Sequence, residues 1–193
     1  MTTSDQKRTP TTRDRLIKAA VTLGAREGMA AATTAAIAQL AGFAEGTLYR
    51  HFESKDDLLI AAYREMKAGI FLEAGRSADA KLSPPERLKL TWLGIYAAYR
   101  ADIDAFRFGE RFKESPLAER EGGEVSRTIA AMISDLVAEG VASGDFKDLP
   151  PELLTALSMA PLYFLLRTEI NGRRWTNKEL NAAADAVLDS WRK

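Results

Sequence analysis

Apolar residues recur at three- and four-residue intervals along almost the whole chain, and no segment alternates apolar and polar residues as a strand does. The clearest series is Val125, Ile129, Met132, Ile133, Leu136, Val137 and Val141. This pattern predicts an all-α fold of eight or nine helices, with three small ones at the N-terminal end. Since 46% of the 193 residues are hydrophobic, such helices can bury a core without disulfides or metal ions.

The predicted helices begin and end at residues that favour helix boundaries. Thr11 opens the first helix, and Ser54 with Asp57 has the spacing of a capping box. Gly28 and Gly42 are expected to end the first two helices. One predicted helix is opened by Ser83-Pro84-Pro85, and the others are Thr11–Glu27, Thr33–Ala41, Glu45–Phe52, Ser54–Ala80, Asp104–Lys113, Val125–Val141, Pro150–Arg167 and Thr176–Trp191.

Composition excludes several classes of protein. The absence of cysteine rules out disulfide frameworks, thiolate zinc sites and cysteine nucleophiles, and the single histidine, His51, rules out multi-histidine metal sites. No cofactor or metal ion is therefore expected. The apolar stretch Ala156–Leu166 is too short to span a bilayer, so we expect a soluble, cytoplasmic protein with no membrane partner. Net charge is zero, but residues 1–55 hold eight basic and five acidic side chains.

Two short predicted helices flank Gly42-Phe43-Ala44, which is the spacing of a helix-turn-helix. At about 100° per residue, Ala44, Leu48 and Phe52 share one face of the second of these helices. That face is expected to pack on Ile37 and Leu40 of the first.

The opposite face of the same helix carries Gly46 and Arg50, flanked by Glu45, Thr47 and Tyr49. Arginine can bond guanine edges or a phosphate, and threonine and tyrosine hydroxyls suit phosphate oxygens. A carboxylate repels phosphate but can accept a hydrogen bond from cytosine N4. Glu45 is therefore expected to set base preference rather than affinity.

Residues 13–63 resemble the DNA-binding domain of the TetR family of transcriptional repressors. The run Gly46–Phe52 has the sequence Gly-Thr-Leu-Tyr-Arg-His-Phe and is followed by Ser54-Lys55 and Leu58-Leu59, a combination characteristic of that family. The resemblance implies a flexible arm over residues 1–10, a helix-turn-helix domain over 11–55, and a larger helical domain over 56–193 for effector binding and dimerisation.

The resemblance also implies roles for individual residues. Thr33, Thr34, Tyr49 and His51 would contact phosphate, Lys55 would reach the DNA backbone, Glu45, Gly46 and Thr47 would meet base edges, and Arg50 would touch either base or phosphate. The helical wheel alone instead places His51 beside the buried face, as a partly buried structural histidine. Ala44 stands where the family commonly has serine, so the cap of the recognition helix is missing here.

The rest of the chain supplies candidates for an interface and a pocket. Helix-turn-helix proteins usually bind as dimers, and the predicted homodimer interface comprises Ile129, Met132, Ile133, Leu136, Leu157 and Phe164. The predicted effector pocket comprises Trp92, Tyr96, Tyr99, Phe106, Phe112 and Tyr163. Because few charged residues fall on these stripes, the expected effector is small and apolar or aromatic.

The leading hypothesis is a dimeric, ligand-responsive regulator of double-stranded DNA that acts as a repressor and is not an enzyme. One alternative is a DNA-binding regulator without a small-molecule effector. A helical enzyme is the other, but its only histidine would lie in the recognition helix, and the sequence shows neither paired carboxylates nor a glycine-rich phosphate loop.

Overall fold

The computed structural model describes residues 9–76 and 78–193, apart from the side chains of Met132 and Pro151. Within these residues the chain forms ten α-helices and no strand, which confirms the all-α class. The helices are α1 Thr12–Glu27, α2 Thr34–Ala41, α3 Glu45–Leu48, α4 Lys55–Gly75, α5 Pro84–Ala101, α6 Ile103–Lys113, α7 Leu117–Glu121, α8 Glu124–Ala142, α9 Pro151–Ile170 and α10 Asn177–Trp191. Residues 1–8 of the predicted N-terminal arm lie outside the described residues.

The helix starts follow the local chemistry that the sequence predicted. The Thr11 hydroxyl accepts from the backbone N–H of Asp14 at 3.2 Å, and the Asp14 carboxylate accepts from the Thr11 N–H at 2.9 Å. At the start of α4, the Ser54 hydroxyl accepts from the Asp57 N–H at 3.1 Å and donates to the Asp57 carboxylate at 2.7 Å. Both helices therefore begin where polar side chains satisfy their free N–H groups.

Several predicted boundaries were wrong. Helix α3 stops at Leu48 rather than at Phe52, α4 stops at Gly75 rather than near Ala80, and α9 continues past Arg167 to Ile170. After α3 the N–H groups of Arg50 and His51 bond carbonyls three residues back, which tightens the chain into a turn. The short helix α7 occupies a segment after Ser115-Pro116 that the sequence assigned to a loop.

The chain divides into two compact units. Unit 1 comprises the described residues up to Arg64 together with Arg107–Arg120, and in it α1 packs against α2 and α2 against α3. Unit 2 comprises Glu65–Phe106 and Glu121–Lys193, and in it α5 packs against α8, α9 and α10. This division differs from the predicted boundary between residues 55 and 56, which stays a prediction.

Candidate functional site

The turn between α2 and α3 fixes how these two helices of unit 1 meet. Gly42 ends α2 with a φ of 77°, a conformation that L side chains disfavour. The Phe43 N–H then donates to the carbonyl of Ala38 at 2.9 Å. Ile37 and Leu48 are fully buried, so each helix contributes an anchor to the shared core. The predicted helix-turn-helix is therefore present.

One residue assigned to this core lies on the surface instead. Leu40 is 52% exposed, whereas Ala38 and Ala41 are buried. Together with Ile37, these alanines define the packed side of α2, and Leu40 points about a quarter-turn away from it. Ala44 is also exposed and gives α3 no side-chain cap, as expected for an alanine at that position. The predicted packing through Leu40 and Ala44 was wrong.

The short length of α3 changes the position of His51. A continuous helix to Phe52 places this side chain beside the buried face, but residues 49–51 form a turn and His51 is exposed. The helical-wheel prediction of a partly buried histidine was therefore wrong. Phe52 is 7% exposed and remains in the core, because its N–H still bonds the carbonyl of Leu48 at 3.0 Å.

All nine predicted DNA-binding residues belong to unit 1, and none of them is buried. Thr33, Glu45, Gly46, Tyr49, Arg50 and His51 are exposed, and Thr34, Thr47 and Lys55 are partly buried. Tyr49 is 55% exposed, so its ring is not part of the core. The segment thus presents hydroxyl, guanidinium, imidazole and carboxylate groups on the surface of one small unit.

The side chains of four of these nine residues make hydrogen bonds within the unit. The Thr33 hydroxyl accepts from the Ala36 N–H at 3.2 Å and caps α2. The Thr34 hydroxyl donates to Oε1 of Glu45, which joins the first residue of α2 to the first residue of α3. Lys55 Nζ donates to the carbonyl of Met29 at 3.3 Å, and an ammonium has two further donors for another acceptor.

Unit 1 also contains a segment that sequence reasoning missed. Phe108 lies against Gly24 of α1, where an added Cβ would come within 2.7 Å of its ring, and Phe112 stacks on Tyr63 with ring centroids 4.1 Å apart. Arg120 forms an ion pair with Asp56. Phe108 and Phe112 were visible in the sequence as an aromatic stripe, but nothing local indicated which unit they join.

Five of the six predicted effector-pocket residues lie together in unit 2. Tyr99, Phe106 and Tyr163 meet with ring centroids 5.6–6.5 Å apart, and Trp92 stacks with Tyr96 at 6.4 Å. The sixth, Phe112, belongs to unit 1 because it lies beyond the point where α6 passes from one unit to the other. Its assignment to the same cluster was therefore wrong.

Unit 2 buries polar groups that the apolar stripes did not reveal. Lys67 is 6% exposed and donates to the Tyr163 hydroxyl at 3.2 Å, with its ammonium over the rings of Phe71 and Tyr163. A signal for it existed, since Lys67 precedes the inward-facing Ile70 and Phe71 by three and four residues. The expectation of few charged groups near the aromatic residues was too simple.

A second buried polar pair joins α5 and α9. Within the part of the chain that the structure describes, the Tyr96 hydroxyl and Oε1 of Glu169 have no hydrogen-bond partner of good geometry. Glu169 Oε2 lies 3.5 Å from Nε of Arg100. Burial raises the pKa of the Tyr96 hydroxyl above its ordinary value, and the nearby Glu169 carboxylate raises it further. Tyr96 is consequently neutral at physiological pH.

The predicted interface residues fall into two groups in unit 2. Ile129 and Leu136 are each 8% exposed and pack inside the unit, and Ile133 is partly buried. Leu157 and Phe164 of α9 are 38% and 61% exposed, and Leu153 beside them is 46% exposed. The side chain of Met132 lies outside the described residues. The open apolar surface therefore belongs to α9 rather than to the periodic face of α8.

Helix α9 is also the one described helix with the length and apolar composition needed to cross a membrane, over Glu152–Ile170. The sequence had indicated that the apolar stretch of this helix is too short to span a bilayer, and by length and composition that expectation was too strict. Leu154, Leu162 and Leu166 of this helix are fully buried in unit 2, however, as in the core helix of a folded domain. Among the described residues no cluster of His, Cys, Asp and Glu could hold a metal ion.

Residues 16–62 match the family model of bacterial regulatory proteins of the tetR family. Residues 85–192 match the tetracycline-repressor-like C-terminal domain. The HTH-type transcriptional repressor KstR2 of Mycolicibacterium smegmatis is 30% identical over 147 residues, which cover 74% of this chain and 71% of that protein. The chain belongs to the TetR family of transcriptional regulators. Its helix-turn-helix is thus the DNA-binding part of a TetR-family protein.

Other TetR-family relatives agree with this assignment. The fatty acid metabolism regulator protein of Bacillus subtilis is 29% identical over 69% of this chain and 70% of its own length. A TetR-family regulator from Marinobacter aquaeolei has a TM-score of 0.82 at 25% identity and covers 94% of this chain and 96% of its own. FadR from Bacillus subtilis, solved in complex with stearoyl-CoA, has the same fold, with a TM-score of 0.74 at 23% identity over 91% and 95% of the two chains.

Proposed function

We propose that this TetR-family protein is a dimeric, cytoplasmic repressor that binds a palindromic operator and is released by a small, largely apolar effector. The observation that carries the DNA-binding part is the exposed segment around α3, inside the region that matches the family's DNA-binding domain. In a helix-turn-helix, the N-terminal residues of the recognition helix contact base edges in the major groove. Here those residues are Glu45, Gly46 and Thr47.

Groups suited to phosphate surround these base-contacting residues. Tyr49, Arg50 and His51 follow α3 directly and are exposed, and Lys55 begins α4. Hydroxyl, guanidinium and ammonium groups bond phosphate oxygens and set the position of a protein on the duplex. Because the chain as a whole has no net charge, binding by these few groups favours a specific site over sequence-independent coating.

The proposed dimer forms through α8 and α9. A single helix-turn-helix makes few base contacts, so two copies that bind two half-sites provide the specificity. Leu153, Leu157 and Phe164 lie on one side of α9 at intervals of four and seven residues and are exposed in the single chain. An exposed apolar stripe of this kind is typical of a surface covered by a partner. Ile129, Ile133 and Leu136 of α8 are buried or partly buried in the single chain, so the exposed part of the proposed interface lies on α9.

The proposed effector site is the aromatic cluster of Tyr99, Phe106 and Tyr163, together with Trp92 and Tyr96. The buried groups of Lys67, Tyr96 and Glu169 would bond the polar part of an otherwise apolar ligand. Helices α4 and α6 each have residues in both units. A ligand that favours one position of these helices would shift the DNA-binding equilibrium by its differential affinity for the two states.

Titration of labelled DNA from beside the protein's own gene, followed by fluorescence anisotropy, tests the operator part. We expect selective binding over scrambled DNA, with affinity that falls as salt rises. Arg50→Ala should weaken binding roughly tenfold or more, whereas Arg76→Ala, at the exposed residue that follows α4, should not change it. The proposal of a sequence-specific regulator would be refuted if the wild-type protein bound scrambled DNA as tightly as DNA from beside its gene and as tightly as fragments selected from the whole genome. Release by stearoyl-CoA would support the effector site, and a protein that no apolar ligand releases would be a regulator without an effector.

Substitution on α9 tests the dimer separately. Phe164→Glu places a charge on the exposed apolar stripe without entering the core, so the chain should stay folded while the sedimenting mass halves. Operator affinity should fall by at least tenfold, since only one half-site is then bound at a time. Lys178→Glu, at an exposed position of α10, is the control and should leave the mass unchanged. A wild-type protein that sediments as a monomer at micromolar concentration would contradict the dimer.

A further inference from the structure

The side chains of Thr34 and Glu45 are joined to each other at the surface proposed to contact DNA. Thr34 is the first residue of α2, Glu45 is the first residue of α3, and the threonine hydroxyl donates to Oε1 of the carboxylate. Glu45 is exposed, and in the described part of the chain no cation pairs with it. One oxygen of this exposed carboxylate thus accepts a hydrogen bond from Thr34.

This hydrogen bond separates the roles of the two neighbouring threonines. Thr33 uses a hydroxyl lone pair to cap α2, which leaves its proton available for a phosphate oxygen. The proton of Thr34 is instead donated to Glu45. A hydroxyl has only one proton, so Thr34 cannot donate to phosphate while this bond exists. The sequence resemblance gave both threonines the same role, and the structure distinguishes them.

The chemistry of the major groove limits what a fixed carboxylate can bond there. A carboxylate only accepts hydrogen bonds, and in the groove only the amino groups of cytosine N4 and adenine N6 donate. Guanine presents two acceptors and thymine presents one, so both repel it. Adenine also places its N7 acceptor beside the amino group, whereas cytosine has no acceptor beside N4. Cytosine is therefore the base that fits a carboxylate best.

We propose that Glu45, oriented by Thr34, determines operator specificity by accepting a hydrogen bond from a cytosine in each half-site. Thr34 acts as a positioning residue: its bond holds the carboxylate at the start of the recognition helix, where base edges are contacted. The inference rests on the proposed function, since it requires α3 to enter the major groove. The sequence already indicated that Glu45 sets base preference, and the structure adds that Thr34 holds its carboxylate in position to select cytosine over adenine.

The test starts from a selection of randomised duplexes bound by the wild-type protein, which defines the half-site. Every base pair of that half-site is then replaced in turn, and the affinity of wild type and variants is measured. We expect one cytosine whose replacement by thymine weakens wild-type binding roughly tenfold. Glu45→Ala should bind all four bases at that position within about twofold, keep discrimination at the others, and bind scrambled DNA slightly more tightly because a negative charge is gone.

Thr34 variants separate positioning from phosphate contact. Thr34→Ser keeps the hydroxyl and should retain the cytosine preference, whereas Thr34→Val should lose most of it. If Thr34 contacts phosphate instead, Thr34→Val will weaken binding to every sequence alike and leave the preference intact, which would overturn its positioning role. A cytosine preference that survives in Glu45→Ala would overturn the assignment of Glu45. Failure of the wild type to select any half-site would instead refute the proposed function itself.

Discussion

The two units of the molecule differ in where they place their polar groups. In unit 1 the fully buried residues are apolar, among them Leu16, Ile37 and Leu48, while its charged side chains lie on or near the surface. In unit 2 four polar or charged residues of the described chain are buried, namely Lys67, Glu121, Ser158 and Glu169. A surface of polar groups suits a macromolecule such as DNA, and an interior with a few placed polar groups suits a small ligand.

Ser158 is a buried polar residue of unit 2 whose hydroxyl and carbonyl are both hydrogen-bonded. Its carbonyl accepts from the Trp92 indole at 2.7 Å, and its hydroxyl accepts from the Trp191 indole at 2.9 Å and donates to the carbonyl of Leu154. Each buried polar group in this arrangement has a partner, because burying a donor or acceptor without a hydrogen bond would destabilise the fold. The Tyr96 hydroxyl and Oε1 of Glu169 lack such well-formed hydrogen bonds, and for this reason we propose that they bond a ligand.

Substitutions along α6 test the division of the chain into two units, and they have the largest expected effect on stability. Phe106 and Phe112 both lie on α6, are 3% and 0% exposed, and belong to units 2 and 1 respectively. Each change to alanine should lower the free energy of unfolding by about 3–5 kcal/mol, because a large ring is lost from a packed core. Phe112→Ala should also weaken operator binding, since it removes the stack on Tyr63.

The readout can separate the two units because all three tryptophans, Trp92, Trp175 and Trp191, lie in unit 2. Hydrogen exchange should accelerate over α1 and the start of α4 in Phe112→Ala, with the denaturant midpoint of tryptophan fluorescence little changed. Phe106→Ala should lower that midpoint directly. If Phe112→Ala lowered it as much, with no faster exchange in α1, then Phe112 would belong with unit 2 as the aromatic stripe first suggested.

Much of unit 1 could be predicted because its signals are local. A capping box such as Ser54 with Asp57, or a positive-φ glycine such as Gly42, depends on residues within one turn of each other. The end of α3 and the exposure of Leu40 could not be predicted, since neither is decided within one turn. The exposure of Leu40 depends on which side of α2 packs, and the buried alanines at 38 and 41 carry almost no hydropathy signal to show it.

The chemistry of unit 2 was harder to predict for a related reason. Burial of Lys67 and Glu169 depends on helices that are distant in sequence, and a charged side chain on an apolar stripe is usually expected to point outward. The segment Arg107–Arg120 joins unit 1 through Phe108 and Phe112, whose partners Gly24 and Tyr63 are about 50 to 85 residues away. Spacing along α6 showed that these rings share a face but not which core receives it.

A smaller change in stability is expected from substituting one tyrosine in each unit, and it tests directly whether the two units treat their polar groups differently. Tyr96 is 2% exposed and its hydroxyl, although close to the Glu169 carboxylate, makes no hydrogen bond of good geometry with the described residues, whereas Tyr49 is 55% exposed. Tyr96→Phe should therefore raise the free energy of unfolding at pH 7 by about 1 kcal/mol, because a buried hydroxyl without a hydrogen bond is removed. Tyr49→Phe should change stability by less than about 0.5 kcal/mol and instead weaken operator binding.

The dependence on pH checks the same hydroxyl independently. Because the pKa of Tyr96 is raised in the folded protein above its ordinary value near 10, the folded state keeps this proton at a pH where the unfolded state has lost it. The contribution is constant below about pH 10 and is lost as the pH rises above that value, with a slope of up to about 1.4 kcal/mol per pH unit. Denaturant unfolding between pH 8 and 11 should show this fall in wild type and Tyr49→Phe but a shallower one in Tyr96→Phe. Identical slopes in all three proteins would mean that folding does not raise the pKa of Tyr96. Separately, no gain in stability at pH 7 in Tyr96→Phe would mean that the Tyr96 hydroxyl is already hydrogen-bonded, as the Ser158 hydroxyl is.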